Sequence, residues 1–128
     1  MKSALTIFTL FFIVVSSSTS FAEWTRFGEN LNANTFYLDF EKIRKHDGYV
    51  YYWVLVDYLK PTETGVFSGK VYKEGDCGLF RYRFLSFVLH KQPMGTDVGE
   101  ISNPENPEWE YAQPNTTWEK ILNQVCNR

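Results

Sequence analysis

The chain has 128 residues, 44% of them hydrophobic and 18% aromatic, with 13 Lys and Arg against 15 Asp and Glu. A formal net charge of −2 excludes the clustered basic face that nucleic-acid recognition needs, and equally a polybasic patch for anionic lipid. The length allows one domain with a core of modest size.

The first 22 residues read as a cleavable secretory signal peptide. Lys2 supplies the basic start, residues 4–15 an almost unbroken apolar run, and Ser20-Phe21-Ala22 a small-x-small cleavage site. The apolar run is about 12 residues, against about 20 for a spanning helix. Residues 23–128 then form a single exported domain with no transmembrane anchor after cleavage. No cysteine follows the leader directly, so a lipoprotein anchor is not expected and the location is periplasmic or secreted. Both cysteines, Cys77 and Cys126, fall in the exported part. An even count in an exported chain reads as a disulfide. The alternatives are two free thiols or a metal pair, and this wide spacing with no nearby histidine suits a metal poorly. A bridge here closes a loop of about 50 residues, worth about 4 kcal/mol in the chain-entropy account.

Residues 23–28 alternate and read as a short strand, followed by a turn-rich stretch at 29–34 and a second strand at 35–39. Residues 40–45 read as a short irregular or helical turn, ended by His46-Asp47-Gly48. Asp-Gly before an aromatic and β-branched run is a hairpin signal. Residues 49–58 form the clearest strand. Val50, Tyr52, Val54, Val56 and Tyr58 share one face; Tyr51, Trp53 and Leu55 share the other. Apolar residues on both faces predict a central strand covered on two sides. A loop at 61–65, a fourth strand at 66–73, a turn at Glu74-Gly75-Asp76 and a fifth strand at 79–90 follow. In that fifth strand Phe80, Tyr82 and Phe84 point one way, and Arg81, Arg83 and Leu85 the other. Residues 91–107 are loop-rich, with an edge strand at 98–102. Thr116 and Glu119 make a capping box for a terminal helix, and Trp118, Ile121, Leu122 and Val125 line its packing face. The helix ends at Cys126, so a bridge to Cys77 would pin it beside the Arg81–Arg83 strand. The Asn115-Thr116-Thr117 sequon reads as incidental.

Catalytic signals are weak. No nucleophile elbow, zinc-protease helix or phosphate loop is present. Ser86, His90 and Asp97 assemble a triad only on paper. Asp39 with Glu41 reads as a solvated strand end, and His90 with Met94 as a strand end and a loop methionine. Of the two histidines, His46 sits beside a turn. The expected protein is not an enzyme, with no metal and no cofactor. Arg81 and Arg83 share a strand face. They suit either an anion site, through bidentate pairing, or ion pairs to neighbouring-strand carboxylates such as Asp57. Residues 23–128 keep 7 Phe, 8 Tyr and 4 Trp, more than a small core hides. Tyr49, Tyr51, Tyr52, Tyr58, Tyr72, Trp109 and Tyr111 are expected to leave part of a face exposed, and such residues favour interfaces. The candidate binding surface is Tyr51, Trp53, Arg81, Arg83, Trp109 and Tyr111.

An ordered set of short motifs resembles the surface-adhesin protein E family. It comprises Glu23-Trp24, Phe36-Tyr37-Leu38-Asp39, Val54-Leu55-Val56-Asp57-Tyr58-Leu59-Lys60-Pro61 and Asp76-Cys77. Arg81-Tyr82-Arg83, Leu85-Ser86, Met94-Gly95-Thr96, Trp109-Glu110-Tyr111, Pro114 and Cys126 follow. The resemblance implies an α+β fold: an antiparallel β-sheet of about five or six strands with a packed C-terminal α-helix and a Cys77–Cys126 disulfide. It also implies no enzyme activity and, for the adhesin that names the family, binding of host extracellular-matrix or serum proteins. The expected function is a non-catalytic binding domain whose partner is a protein or envelope component. The alternative is a small periplasmic inhibitor or accessory factor of lysozyme-inhibitor type; a small hydrolase ranks last.

Overall fold

Period-2 alternation of β-branched and aromatic residues builds one antiparallel sheet from most of the chain. The computed structural model describes residues 23–128; the leader and its cleavage site lie outside the described residues. The strands are β1 (Thr25–Glu29), β2 (Thr35–Leu38), β3 (Arg44–His46), β4 (Tyr49–Asp57), β5 (Ser68–Asp76), β6 (Arg81–His90), β7 (Glu100–Ser102) and β8 (Glu110–Tyr111). They are followed by α1 (Thr117–Cys126), and short 3₁₀ turns occupy Phe40–Lys42 and Pro93–Gly95. The sheet runs β1-β2-β4-β5-β6-β7, with β3 sharing an edge of β4 with β2, and β8 sharing an edge of β6 with β7. The expected antiparallel sheet, terminal helix and single bridge are all present.

One face of this sheet is the core. Phe36 and Leu38 of β2, Val50, Tyr52, Val54 and Val56 of β4, Val71 of β5 and Tyr82 of β6 lie buried against Ile121, Leu122 and Val125 of α1. Gly75 is required at the closest point, because a Cβ there would stand 2.8 Å from Leu122 Cδ1 and 2.9 Å from Val50 Cγ1. The helix starts where the sequence says. Thr116 Oγ1 accepts from the Glu119 amide at 3.1 Å, while the Glu119 carboxylate accepts from the Asn115 amide rather than from Thr116. Trp118 packs edge-on against Phe36, with ring centres 5.0 Å apart. The helix's last residue, Cys126, is bonded to Cys77 just beyond β5. The bridge holds α1 to the sheet at the end opposite its cap.

Several local expectations are corrected. Glu74-Gly75-Asp76 is not a turn but the end of β5, in register with Arg83, Tyr82 and Arg81. The turn comes at residues 77–80, where Asp76 Oδ1 accepts from the Gly78 and Leu79 amides. The strand begins at Ser68, not at Val66. The expected helical turn at 40–45 is shorter and gives way to β3, which forms with β4 the hairpin that Asp47-Gly48 announced; both turn residues have positive φ. β8, inside a stretch given no element, pairs with the start of β6. Leu85 does not share the rungs of Arg81 and Arg83: a bulge puts Ser86 opposite Tyr72. β4 is central, but the helix covers only one of its faces. Over part of the other, the 3₁₀ turn at Pro93–Gly95 packs down. The rest is covered by its own aromatic side chains.

Candidate binding face

Cross-strand register determines which side chains meet on the face away from the helix. One rung is Tyr49, Asp76, Arg81 and Tyr111, contributed by β4, β5, β6 and β8. The next is Tyr51, Glu74 and Arg83; the third is Trp53, Tyr72 and Ser86. All six residues of the sequence-derived surface therefore project from one face. Trp109, just before β8, lies with Arg81 Cζ 4.4 Å and Arg83 Cζ 4.5 Å from its ring centre. Its ring also lies 5.7 Å from that of Tyr49 at 28°. Trp53 stacks on Tyr72 at 4.8 Å, and Tyr72 neighbours Tyr51 at 6.2 Å. Tyr51, Trp53, Arg81, Arg83 and Trp109 are half-buried and Tyr111 is exposed. The face is apolar in body and polar at its tips.

The arginines form ion pairs with carboxylates of the neighbouring strand, as one reading of the sequence expected, but the partners are Asp76 and Glu74 of β5 rather than Asp57. Arg81 Nε donates to Asp76 Oδ2 at 2.9 Å, and Arg83 Nε to Glu74 Oε1. The other Glu74 oxygen accepts from the Tyr51 hydroxyl at 2.7 Å. That hydrogen bond to a carboxylate, with burial, pushes the Tyr51 hydroxyl up to about 12. Burial acts to raise the Asp76 carboxyl, but the Arg81 bond and the turn amides outweigh it and hold Asp76 below the usual carboxylate range. Each guanidinium carries five donors, and the carboxylate bonds use only its Nε.

The other end of this face is closed. Asp57 Oδ1 accepts from the Met94 amide and Ser68 Oγ from the Gly95 amide, each at 2.8 Å. His90 is fully buried and its Nδ1 lies 3.0 Å from Asp97 Oδ1. The Lys91 amide, together with His90, holds the Asp97 carboxyl below its ordinary value. These residues clamp the loop after β6. Ser86 stands four positions back along the same strand, about 13 Å away at strand rise, so no triad forms. Asp39 is buried, and its side chain caps the first 3₁₀ turn through the Glu41 amide rather than forming a solvated pair with Glu41. His46 is exposed beside Asp47. Among the described residues no group of three or more His, Cys, Asp or Glu is arranged to hold a metal ion. No described helix is long and apolar enough to cross a membrane.

Sequence reasoning missed Lys73. It is wholly buried on the helix side, with Nζ 3.4 Å from the Tyr82 ring centre and 3.7 Å from that of Trp118. Neither Lys73 Nζ nor the Tyr52 hydroxyl finds a hydrogen-bond partner. Burial pushes the amine well below its ordinary value. The available signal was parity: Lys73 pairs with Tyr52 and Phe84, both on the apolar face. Two grooves also lie on the helix side. One, about 560 Å³, runs between the β1–β2 turn and the start of α1; the other, about 280 Å³, is lined by Phe36, Phe84, Phe87 and Trp118. Neither includes a residue of the candidate surface.

Comparison with known proteins agrees with this architecture. The family described as surface-adhesin protein E matches residues 24–127. A crystal form of Haemophilus influenzae protein E is similar at a TM-score of 0.61 and 18% identity, covering 89% of this chain and 94% of that one. A structure of protein E from non-typeable Haemophilus influenzae is similar at 0.58 and 18% identity, covering 89% and 82%. No curated protein matches significantly. The match over nearly the whole described chain, on the fold those structures share, establishes that the chain belongs to the surface-adhesin protein E family, as an adhesin-type binding domain of exported or surface location.

Proposed function

We propose that residues 23–128 form a non-catalytic module that engages an extracellular or host protein through the helix-free face bearing Tyr51, Trp53, Arg81, Arg83, Trp109 and Tyr111. The observation that carries this reading is the convergence of those six side chains on one face while the core occupies the other. Aromatic residues and arginine dominate the energetics of protein interfaces because they combine large apolar area with directional donors. Here their positions are held in advance by the Tyr51–Glu74–Arg83 and Arg81–Asp76 links, which lowers the ordering cost of association. The separation of Ser86 from the His90–Asp97 pair supports a binding role over hydrolysis. The module is released from a leader cleaved after Ala22 and acts in the periplasm or outside the cell. Nothing observed favours the inhibitor reading.

The test is capture on a panel of immobilised extracellular-matrix and serum proteins. Tyr51→Ala/Arg81→Gln is expected to weaken capture at least about tenfold, as loss of hot-spot residues does. Capture undiminished in a folded double variant would reject the face. Fractionation of the producing cell checks the location, and a membrane-bound, uncleaved chain would reject the leader assignment.

A further inference from the structure

The segment between β7 and β8 is what lies across the arginine pair. Its Trp109 contacts both guanidinium groups, yet its attachment is slight. β8 contributes only Glu110 and Tyr111, paired with Tyr82 and Arg81, and both are exposed. The next backbone bond, from the Ala112 amide to the Phe80 carbonyl, is long at 3.4 Å. Pro104 and Pro107 have no amide to give. The flanks are held independently. β7 has its own three rungs on β6, and α1 has the core and the bridge to Cys77. The segment can therefore lift without its neighbours unfolding. Beside it, the edge of β6 over residues 83–86 pairs with no strand among the described residues, because β8 covers 81–82 and β7 covers 87–89.

Resting on the reading of this face as the binding surface, we propose that residues 103–111 are a displaceable strap that acts as a built-in ligand. In this account Trp109 occupies the place of the partner's binding side chain, and the partner's segment is an extended peptide carrying an aromatic residue. The partner's ring replaces Trp109 on the guanidinium pair, where cation–π attraction holds it. The partner's backbone continues along the unpaired edge of β6, as in strand addition. In the intact chain the tethered strap competes at an effective concentration on the order of millimolar, so weak or mismatched segments are rejected.

The probe is a synthetic peptide with the sequence of residues 103–111, titrated calorimetrically into the disulfide-bonded chain. The Trp109→Ala chain is expected to bind it saturably, and the unaltered chain about tenfold more weakly or worse. Binding should vanish when the peptide's tryptophan is replaced by alanine, and weaken when Arg83→Gln is added to the Trp109→Ala chain. No binding to a folded Trp109→Ala chain, or equal binding to both chains, overturns the proposal. Hydrogen exchange in the unaltered protein gives a second measurement that needs no variant. Amides of residues 108–111 should exchange about a hundredfold faster than those of β4; equal protection overturns the strap. If the peptide fails while Tyr51→Ala/Arg81→Gln still abolishes partner capture, the strap falls and the face stands.

Discussion

The two faces of this sheet are made by the same strands, residue by alternate residue, yet they are finished differently. On the helix side, Leu38, Tyr52, Val54, Ile121 and Leu122 exclude water completely, and the fully buried Lys73 sits among rings without a hydrogen-bond partner. On the other side Tyr51, Trp53, Arg81 and Arg83 remain half-buried, and every carboxylate that meets an arginine is hydrogen-bonded to it. The lesson is one of division of labour. The helix side supplies stability through area removed from water. The bare side retains polar tips whose partners are already arranged, at little gain in stability.

That contrast can be broken quantitatively. The largest effect is expected from Cys77→Ser/Cys126→Ser. Opening a 49-residue separation removes the tether of α1 and costs about 4 kcal/mol, read from urea unfolding. Leu122→Ala follows, at about 3 kcal/mol, because it leaves a cavity in the core beside Gly75, which has no side chain to fill it. Lys73→Met should have the opposite sign and stabilise by about 1–3 kcal/mol at neutral pH, since it removes a buried amine that has no hydrogen-bond partner. Smallest is Tyr51→Phe, which loses one hydrogen bond to Glu74 at a partly solvated site and costs about 1 kcal/mol. A bare-face substitution costing more than Leu122→Ala would contradict the division.

The pH profile sharpens the same comparison. Lys73 has a lowered folded pKa, so the unfolded chain binds more protons between that value and about 10.4. Stability should therefore rise with pH through that window, and Lys73→Met should flatten the rise. Tyr52 and Tyr82, raised first by burial, work against it only above about pH 10, where the unfolded tyrosines ionise. On the acid side Asp76 and Asp97 have depressed folded pKa values. Their stabilisation is present above the unfolded carboxylate range near about 4 and is lost as pH falls through the lower folded values. Unfolding free energies at closely spaced pH values check both limbs.

Much of the fold was legible because several local signals agree. Asp47-Gly48 takes the backbone conformation that a two-residue hairpin demands, and residues 49–57 carry the alternation of a strand. Thr116 and Glu119 mark the helix start. Glu74-Gly75-Asp76 misled because its composition is that of a turn. In the folded chain Gly75 is there to admit Leu122, and Glu74 and Asp76 are there to meet the arginines. Tertiary packing overrides the local preference. β3 and β8 are too short to show a period, and the bulge beside Leu85 shifts which residue shares the arginine face. The six surface residues were identified by type; their convergence needed the register, which no local pattern encodes.

The most direct test of the account sets the two faces against each other on one immobilised partner protein. Tyr51→Ala/Arg81→Gln alters the bare face, and Lys120→Ala/Gln124→Ala alters the exposed surface of α1. With both chains folded and disulfide-bonded, the first is expected to lose affinity at least about tenfold and the second to bind as the unaltered chain does. The reverse pattern, with binding lost on the helix surface and kept on the bare face, would contradict the account.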